Sequence, residues 1–152
     1  MTDTIMPFAR PLYVMTKPVG ASCNLRCKYC YYLEKQNLYH FTGTDELLED
    51  FTRQYIQAQT QLQVLFTWHG GEPMMRPLSF YKKAVELQKK YAGGRYIANS
   101  IQTNGTLLTD EWCRFLKEND WLVGISIDGP QDFHDEYRRT ASDRPSWTKV
   151  MQ

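Results

Sequence analysis

Short apolar runs alternate with amphipathic segments along this chain, and each run ends in a loop rich in glycine and polar residues. That rhythm restricts the fold more than any other feature. Residues 11–16 (PLYVMT) read as a first short strand, ended by Pro18-Val19-Gly20. Thr44 is an expected N-cap with Asp45 and Glu46 behind it, and Leu47, Leu48, Phe51, Tyr55 and Ile56 recur at helical spacing up to Gln59. Residues 64–68 form a continuous apolar run broken by Gly70 and Gly71, the pattern of a strand buried on both faces. A helix follows over residues 78–91, stopped by Gly93-Gly94, and then a strand over residues 96–103 that ends in Asn104-Gly105. Thr109 caps a short helix with Trp112, Phe115 and Leu116 on one face, and residues 121–127 make a fourth strand closed by Asp128-Gly129-Pro130. The final RPSWTKVMQ opens like one more helix.

Strand and helix recurring in steps of roughly 25 to 35 residues predict parallel pairing through crossover helices, hence an α/β layer or barrel with about four strands. In such folds the functional site lies at the carboxyl ends of the strands. This chain places GASCNLRCKYC, HGGEP, QTNG and SIDGP there. One site on one rim is therefore expected.

Composition removes other classes. The chain has 152 residues, one domain's worth, and with 42% hydrophobic and 23% charged residues it is neither disordered nor fibrous. Eighteen basic against seventeen acidic residues give a net charge of +1, without the basic excess that nucleic-acid binding uses. No stretch approaches the roughly 18 apolar residues of a membrane span, and MTDTIMPFAR lacks the order of a secretory signal. A cytoplasmic, reducing location with no membrane partner is expected.

Three of the four cysteines, Cys23, Cys27 and Cys30, share one loop. In a reducing compartment such a cluster reads as metal or redox chemistry rather than disulfides. Gly20 and Ala21 are small enough to let the backbone approach a bulky inorganic group. A structural zinc site would need a fourth ligand from Cys113, His40 or His69, and spacing places none of them. Three thiolates without a fourth favour a 4Fe-4S cluster with one iron open to an outside ligand. A zinc site and a non-catalytic cluster binder stay open on these residues alone. A thioredoxin-like role for Cys27-x2-Cys30 is disfavoured by the third cysteine in the same loop.

The spacing C-x3-C-x2-C with Tyr29 before the last cysteine resembles the signature of radical S-adenosylmethionine (SAM) enzymes. The resemblance implies a 4Fe-4S cluster on Cys23, Cys27 and Cys30, and SAM chelated at the open iron. It also implies cleavage of SAM to methionine and a 5'-deoxyadenosyl radical. Gly70-Gly71-Glu72-Pro73 resembles the family's GGEP element, which meets the methionine ammonium of SAM. Ser126 resembles the position contacting the ribose and Arg138 the one reaching the cofactor carboxylate, while Gln102 and Asn104 line the same rim.

Across nearly the whole chain, KPVGASCNLRCKYCYYLEK, FTWHGGEP, SIQTNGTLL and GISIDGPQDFHDEYR are similar to the anaerobic sulfatase-maturating enzymes. This implies oxidation of a sulfatase cysteine or serine to Cα-formylglycine, with a reductant such as flavodoxin or ferredoxin. A relative that installs thioether or carbon-carbon crosslinks in another peptide is the second implication. Members are more than twice as long, with a (β/α)6 barrel and a C-terminal domain of auxiliary clusters. Residues 1–152 are accordingly expected to be the N-terminal, truncated part of the barrel, with no catalytic base assignable in it. Four strands alone would leave an open edge and an uncovered face, so instability or pairing with another chain is expected.

Other residues receive structural readings. His69 stands where a glutamine is expected before GGEP and reads as structural, Cys113 as a small core residue, and His40 and His134 as surface. Tyr31 and Tyr32 either cover the cluster or pack on the first helix.

Overall fold

In a computed structural model, residues 10–35 and 43–152 are described. They form one parallel sheet in the order β1-β2-β3-β4. The strands are β1 (Met15–Thr16), β2 (Gln63–Trp68), β3 (Tyr96–Thr103) and β4 (Leu122–Ile125). Between them run α1 (Asp45–Ala58), α2 (Leu78–Tyr91) and α3 (Asp110–Glu118), followed by α4 (Gln131–Tyr137) and α5 (Trp147–Val150). The expected α/β architecture with four parallel strands is what forms.

Local chemistry sets the helix boundaries. Thr44 Oγ1 accepts from Leu47 N at 3.3 Å and Thr109 Oγ1 from Trp112 N at 3.3 Å, so both expected N-caps act as such. Past Ala92, Gly93 and Gly94 take φ of +57° and +83°, left-handed conformations that stop α2.

The alternation of β2 decides the two faces of the sheet. Val64, Phe66 and Trp68 are buried against α1 and α2, where Tyr81, Ala84, Trp112, Phe115 and Trp121 join them in one core. Burying each large side chain contributes about 1.5–3 kcal/mol. Inside this apolar layer, Trp68 Nε1 donates to Asn99 Oδ1 at 2.9 Å, and Asn99 and Gln88 exchange amide bonds at 2.8 and 2.9 Å, so no amide in that network is left unpaired. The opposite face carries Thr67, Ser100, Gln102 and Gly124, half-buried and polar.

Two strands are shorter than their sequence suggests. Only Met15 and Thr16 pair with β2, because the backbone of Leu12 is occupied elsewhere: Gln59 Nε2 and Tyr55 Oη donate to its carbonyl at 2.7 and 3.1 Å, and its N–H donates to Gln59 Oε1 at 3.2 Å. Helix side chains there replace the ladder. On the outer side, β4 ends at Ile125, though Ser126 N still donates to Thr103 O at 2.9 Å. Helix α4 has no counterpart in the strand and helix pattern read from sequence, whereas α5 begins within the final segment read as a helix start. At the edge Leu122, Ile125 and Ile127 are exposed, as expected for an uncovered margin.

Candidate cluster and cofactor site

The cysteine loop is held in place from three sides, by the turns after β2 and β3 and by the end of α4 with the residues that follow it. The first is the Gly-Gly turn after β2: Gly71 N donates to Gly20 O and Glu72 N to Ser22 O, both at 2.8 Å. A Cβ on Gly71 would lie 1.9 Å from Ser22 O, so only glycine allows this approach. Second, after β3, Asn104 Nδ2 donates to Asn24 Oδ1 at 2.9 Å and Asn24 Nδ2 to Thr106 Oγ1 at 2.8 Å. The third strap is the end of α4 and the chain after it, where Arg26 N and Lys28 N donate to the carbonyls of Arg139 and Tyr137 at 2.7 and 2.9 Å.

These straps bring the cysteines to the carboxyl ends of the strands, around a pocket of about 230 Å³. Cys23, Cys27 and Cys30 line it with Tyr29. Gly70 and Gly71 close one wall, and Gln102, Asn104, Ser126 and Arg138 the opposite one. Of the residues singled out in sequence, only Glu72 does not border the pocket.

Glu72 lies beneath it, fully buried. Its Oε1 accepts from Met74 N at 3.0 Å and Thr103 Oγ1 at 2.7 Å, and its Oε2 from Asn104 N at 2.7 Å. The carboxyl group expected to meet a cofactor ammonium is thus occupied in bracing the Gly-Gly turn against the end of β3. Burial raises its pKa, while those three donors pull the other way.

The thiols differ in setting. All are free; Cys27 is buried and Cys23 and Cys30 are half-buried. Cys23 is pushed up to about 11, mainly by burial, against the donors Leu25 N and Asn104 Nδ2 at 3.4 and 3.7 Å from its sulfur. Burial also raises Cys27, opposed by Arg138, whose Nη1 lies 4.0 Å from its sulfur. Among the described residues, no three His, Cys, Asp or Glu side chains gather as they would around a single ion.

Arg138 lies 3.0 Å through Nε from Asp128 Oδ2, an ion pair by distance. The Nε is buried in this pair, and Arg138 as a whole still lines the pocket, where its charge favours a carboxylate. Asp128 also accepts from Tyr29 Oη, and the Arg138 guanidinium sits 5.6 Å from the Tyr29 ring. Although burial works to raise Asp128, these two partners prevail and lower it. Gln102 Nε2 donates to Ser126 Oγ at 2.9 Å, crossing over Gly124, where a Cβ would meet Gln102 Oε1 at 2.1 Å. Asp128, Asn24 and Gly124 were not singled out as site residues. Asp128 lies in the same SIDGP loop as Ser126, the only local signal for it.

Four structural readings change or resolve. Cys113 is exposed on α3, off the face that buries Trp112, Phe115 and Leu116, and is not a core residue. His134 is fully buried rather than at the surface, because α4 turns it inward under the pocket rim. His69 borders the pocket half-buried, its Nδ1 accepting from Gly70 N at 2.7 Å, and burial followed by Lys17 lowers its pKa. Tyr31 and Tyr32 line the pocket mouth, where Lys17 Nζ donates to Tyr32 Oη at 2.6 Å. His40 lies outside the described residues.

Comparison with known proteins identifies the family. Residues 18–152 match the family model described as the radical SAM superfamily. The chain is 70% identical to a serine-type anaerobic sulfatase-maturating enzyme of Bacteroides thetaiotaomicron, over 98% of this chain and 37% of that protein. A cysteine-type anaerobic sulfatase-maturating enzyme of Clostridium perfringens is 37% identical, over 92% of this chain and 39% of its own length. A solved structure, native anSMEcpe with bound AdoMet and Cp18Cys peptide, superposes with a TM-score of 0.85 at 36% identity, covering 93% of this chain and 38% of that one. The chain thus spans less than two fifths of the length of these relatives.

Proposed function

The chain belongs to the radical SAM superfamily, and from that premise we propose that it binds a 4Fe-4S cluster and SAM for the oxidation of a sulfatase serine to Cα-formylglycine. One observation carries the cofactor reading: three thiols, the Gly-Gly turn and the Arg138 guanidinium converge on one pocket at the strand ends. Serine rather than cysteine is supported by the 70% identity to a serine-type relative against 37% to a cysteine-type one.

In this reading Cys23, Cys27 and Cys30 hold the cluster, with Leu25 N–H and Asn104 Nδ2 directed at the first sulfur and Arg138 at the second. Arg138, which lines the pocket, takes the carboxylate of SAM, and Ser126, held by Gln102, faces the ribose. Tyr29 walls the pocket under Arg138. Glu72 acts from below, fixing the turn whose exposed backbone meets the methionine end. When bound, the cluster and SAM would supply a 5'-deoxyadenosyl radical for hydrogen-atom abstraction at the substrate Cβ, and a one-electron acceptor such as a further iron-sulfur cluster would take the second electron as a proton is lost to give the aldehyde. A protein reductant such as flavodoxin or ferredoxin supplies the electron that starts the cycle.

The test is anaerobic reconstitution. About four iron atoms per chain should load, and SAM with a strong reductant should give 5'-deoxyadenosine. Alanine at Cys23, Cys27 or Cys30 should abolish iron loading, and retention of iron by all three variants would overturn the assignment. A sulfatase-motif peptide should lose two hydrogens at its serine; an intramolecular crosslink instead would overturn the maturase reading.

A further inference from the structure

Arg138 lines the pocket and Asp128 pairs with it, both from beyond the end of β4 and outside the sheet's hydrogen-bond ladder, so something else must hold their backbones. His134 stands between them. It is fully buried on α4, and none of the cluster or SAM contacts proposed above uses it. Its Nε2 lies 3.0 Å from Ser146 Oγ, and Ser146 Oγ donates to the carbonyl of Arg138 at 2.6 Å. A hydroxyl has one hydrogen, spent here on the carbonyl, so Ser146 accepts from the imidazole and Nε2 carries the hydrogen. That leaves the Nδ1 lone pair facing the backbone N–H of Asp128, a long contact of 3.5 Å.

The surroundings keep this arrangement in register. Arg138 N donates to the carbonyl of His134 at 2.8 Å. Asp135 Oδ1 accepts from Ser146 N and Trp147 N at 2.9 and 2.8 Å, fixing the start of α5, and Trp147 meets the imidazole edge-on at 5.4 Å. Burial first, then the Arg138 charge, holds the imidazole below its ordinary pKa, with Asp135 and Asp128 pulling the other way. The neutral tautomer fits the two bonds.

We propose that His134 is a positioning residue of the site: its imidazole fixes the backbone of Asp128 on one side and, through Ser146, that of Arg138 on the other, so that the pair stands against Cys27. The inference rests on the reading of the pocket as a cluster and SAM site, but its geometry is testable without either group.

The first experiment follows the Arg138 Nε–H by NMR in the chain before reconstitution, the signal assigned by its absence in Arg138→Lys. Exchange with water should be slow in the wild type and in His134→Gln, whose amide nitrogen can still donate to Ser146, and fast in His134→Leu. Ser146→Ala, which removes only the relay hydroxyl, should also speed it, and decides the question if the leucine variant does not fold. The second experiment measures SAM binding after reconstitution. At unchanged iron content, His134→Leu should weaken affinity about tenfold and His134→Gln should recover most of it. Equal losses in the glutamine and leucine variants would reduce His134 to packing and overturn the proposal, as would wild-type exchange and affinity in both His134→Leu and Ser146→Ala. Should the wild type load iron yet bind no SAM, the cofactor reading falls, while the exchange rates still decide the positioning role.

Discussion

Replacing Gly71 by alanine separates loop docking from fold stability. The Cβ would lie 1.9 Å from Ser22 O, 2.5 Å from Ser22 C and 2.7 Å from Ala21 C. All three are backbone atoms, so no side chain can swing aside, and the cysteine loop itself must retreat. Gly71 is absent from the residues with positive φ, so alanine adds no backbone strain of its own. What is lost is the pair of 2.8 Å bonds from Gly71 N and Glu72 N to the loop. At about 0.5–1.5 kcal/mol each, they are worth about 1–3 kcal/mol, or roughly 5- to 150-fold in the docked population. The aromatic core around Phe66, Trp68 and Tyr81 lies on the far side of the sheet and keeps its packing. Gly71→Ala should therefore retain a cooperative unfolding transition with a Tm lowered by a few degrees, while iron and sulfide retention fall sharply. Gly94→Ala is the control: its Cβ would meet nothing within 4 Å, and at φ +83° it costs about 1 kcal/mol of strain without touching the loop. Wild-type iron and sulfide in Gly71→Ala, measured after gel filtration, would refute the reasoning.

Gly124→Ala should act on the rim alone: the atom its Cβ meets, at 2.1 Å, is the end of the flexible Gln102 side chain. Gln102 moves off Ser126, SAM affinity drops about tenfold, and the unfolding midpoint stays within about 0.5 kcal/mol of wild type; unchanged affinity would count against Ser126 as a held contact. Glu72→Gln should destabilise by about 1–3 kcal/mol, because its NH2 must face a buried donor, Asn104 N or the Met74 and Thr103 pair. The raised Glu72 pKa fixes a sign as well: the folded chain holds that proton to higher pH than the unfolded chain, so this contribution is complete below the unfolded value and lost as pH rises through the folded one. Urea midpoints between about pH 4 and 7 should show that slope in the wild type and not in Glu72→Gln; parallel curves would sink the assignment. Finally, the exposed Leu122, Ile125 and Ile127 beside β4 should make the isolated chain self-associate. A sharp, concentration-independent thermal transition of a monomer would contradict this.

The four strands, the helices α1 to α3 and most of the pocket residues were legible because their signals are local. Apolar periodicity, caps such as Thr44 and Thr109, and the cysteine spacing each lie within a short window. What sequence could not show is which partner a polar group chooses across the fold. Leu12 leaves the ladder because Gln59, 47 residues away, offers its backbone an amide. Glu72 carries the letters of a cofactor contact, yet its oxygens accept from groups 31 and 32 residues on, which no local window shows. His134 reads as surface because no partner stands at a telling spacing in sequence, and the return of Ser146 and Trp147 over α4 is what packs against it. Even the Gly-Gly motif changes meaning at this level. Its glycines were expected to admit a cofactor, but the closest approach at Gly71 is to the cysteine loop, so the same small residues first build the site into which any cofactor must fit. Asn24 to Thr106 spans 82 residues and Arg138 to Cys27 spans 111, so the straps form only after the sheet has brought its strand ends together. The core that assembles the sheet is thus a precondition for the site, and a mutation deep among Phe66, Trp68 and Tyr81 should cost cluster retention without touching the pocket.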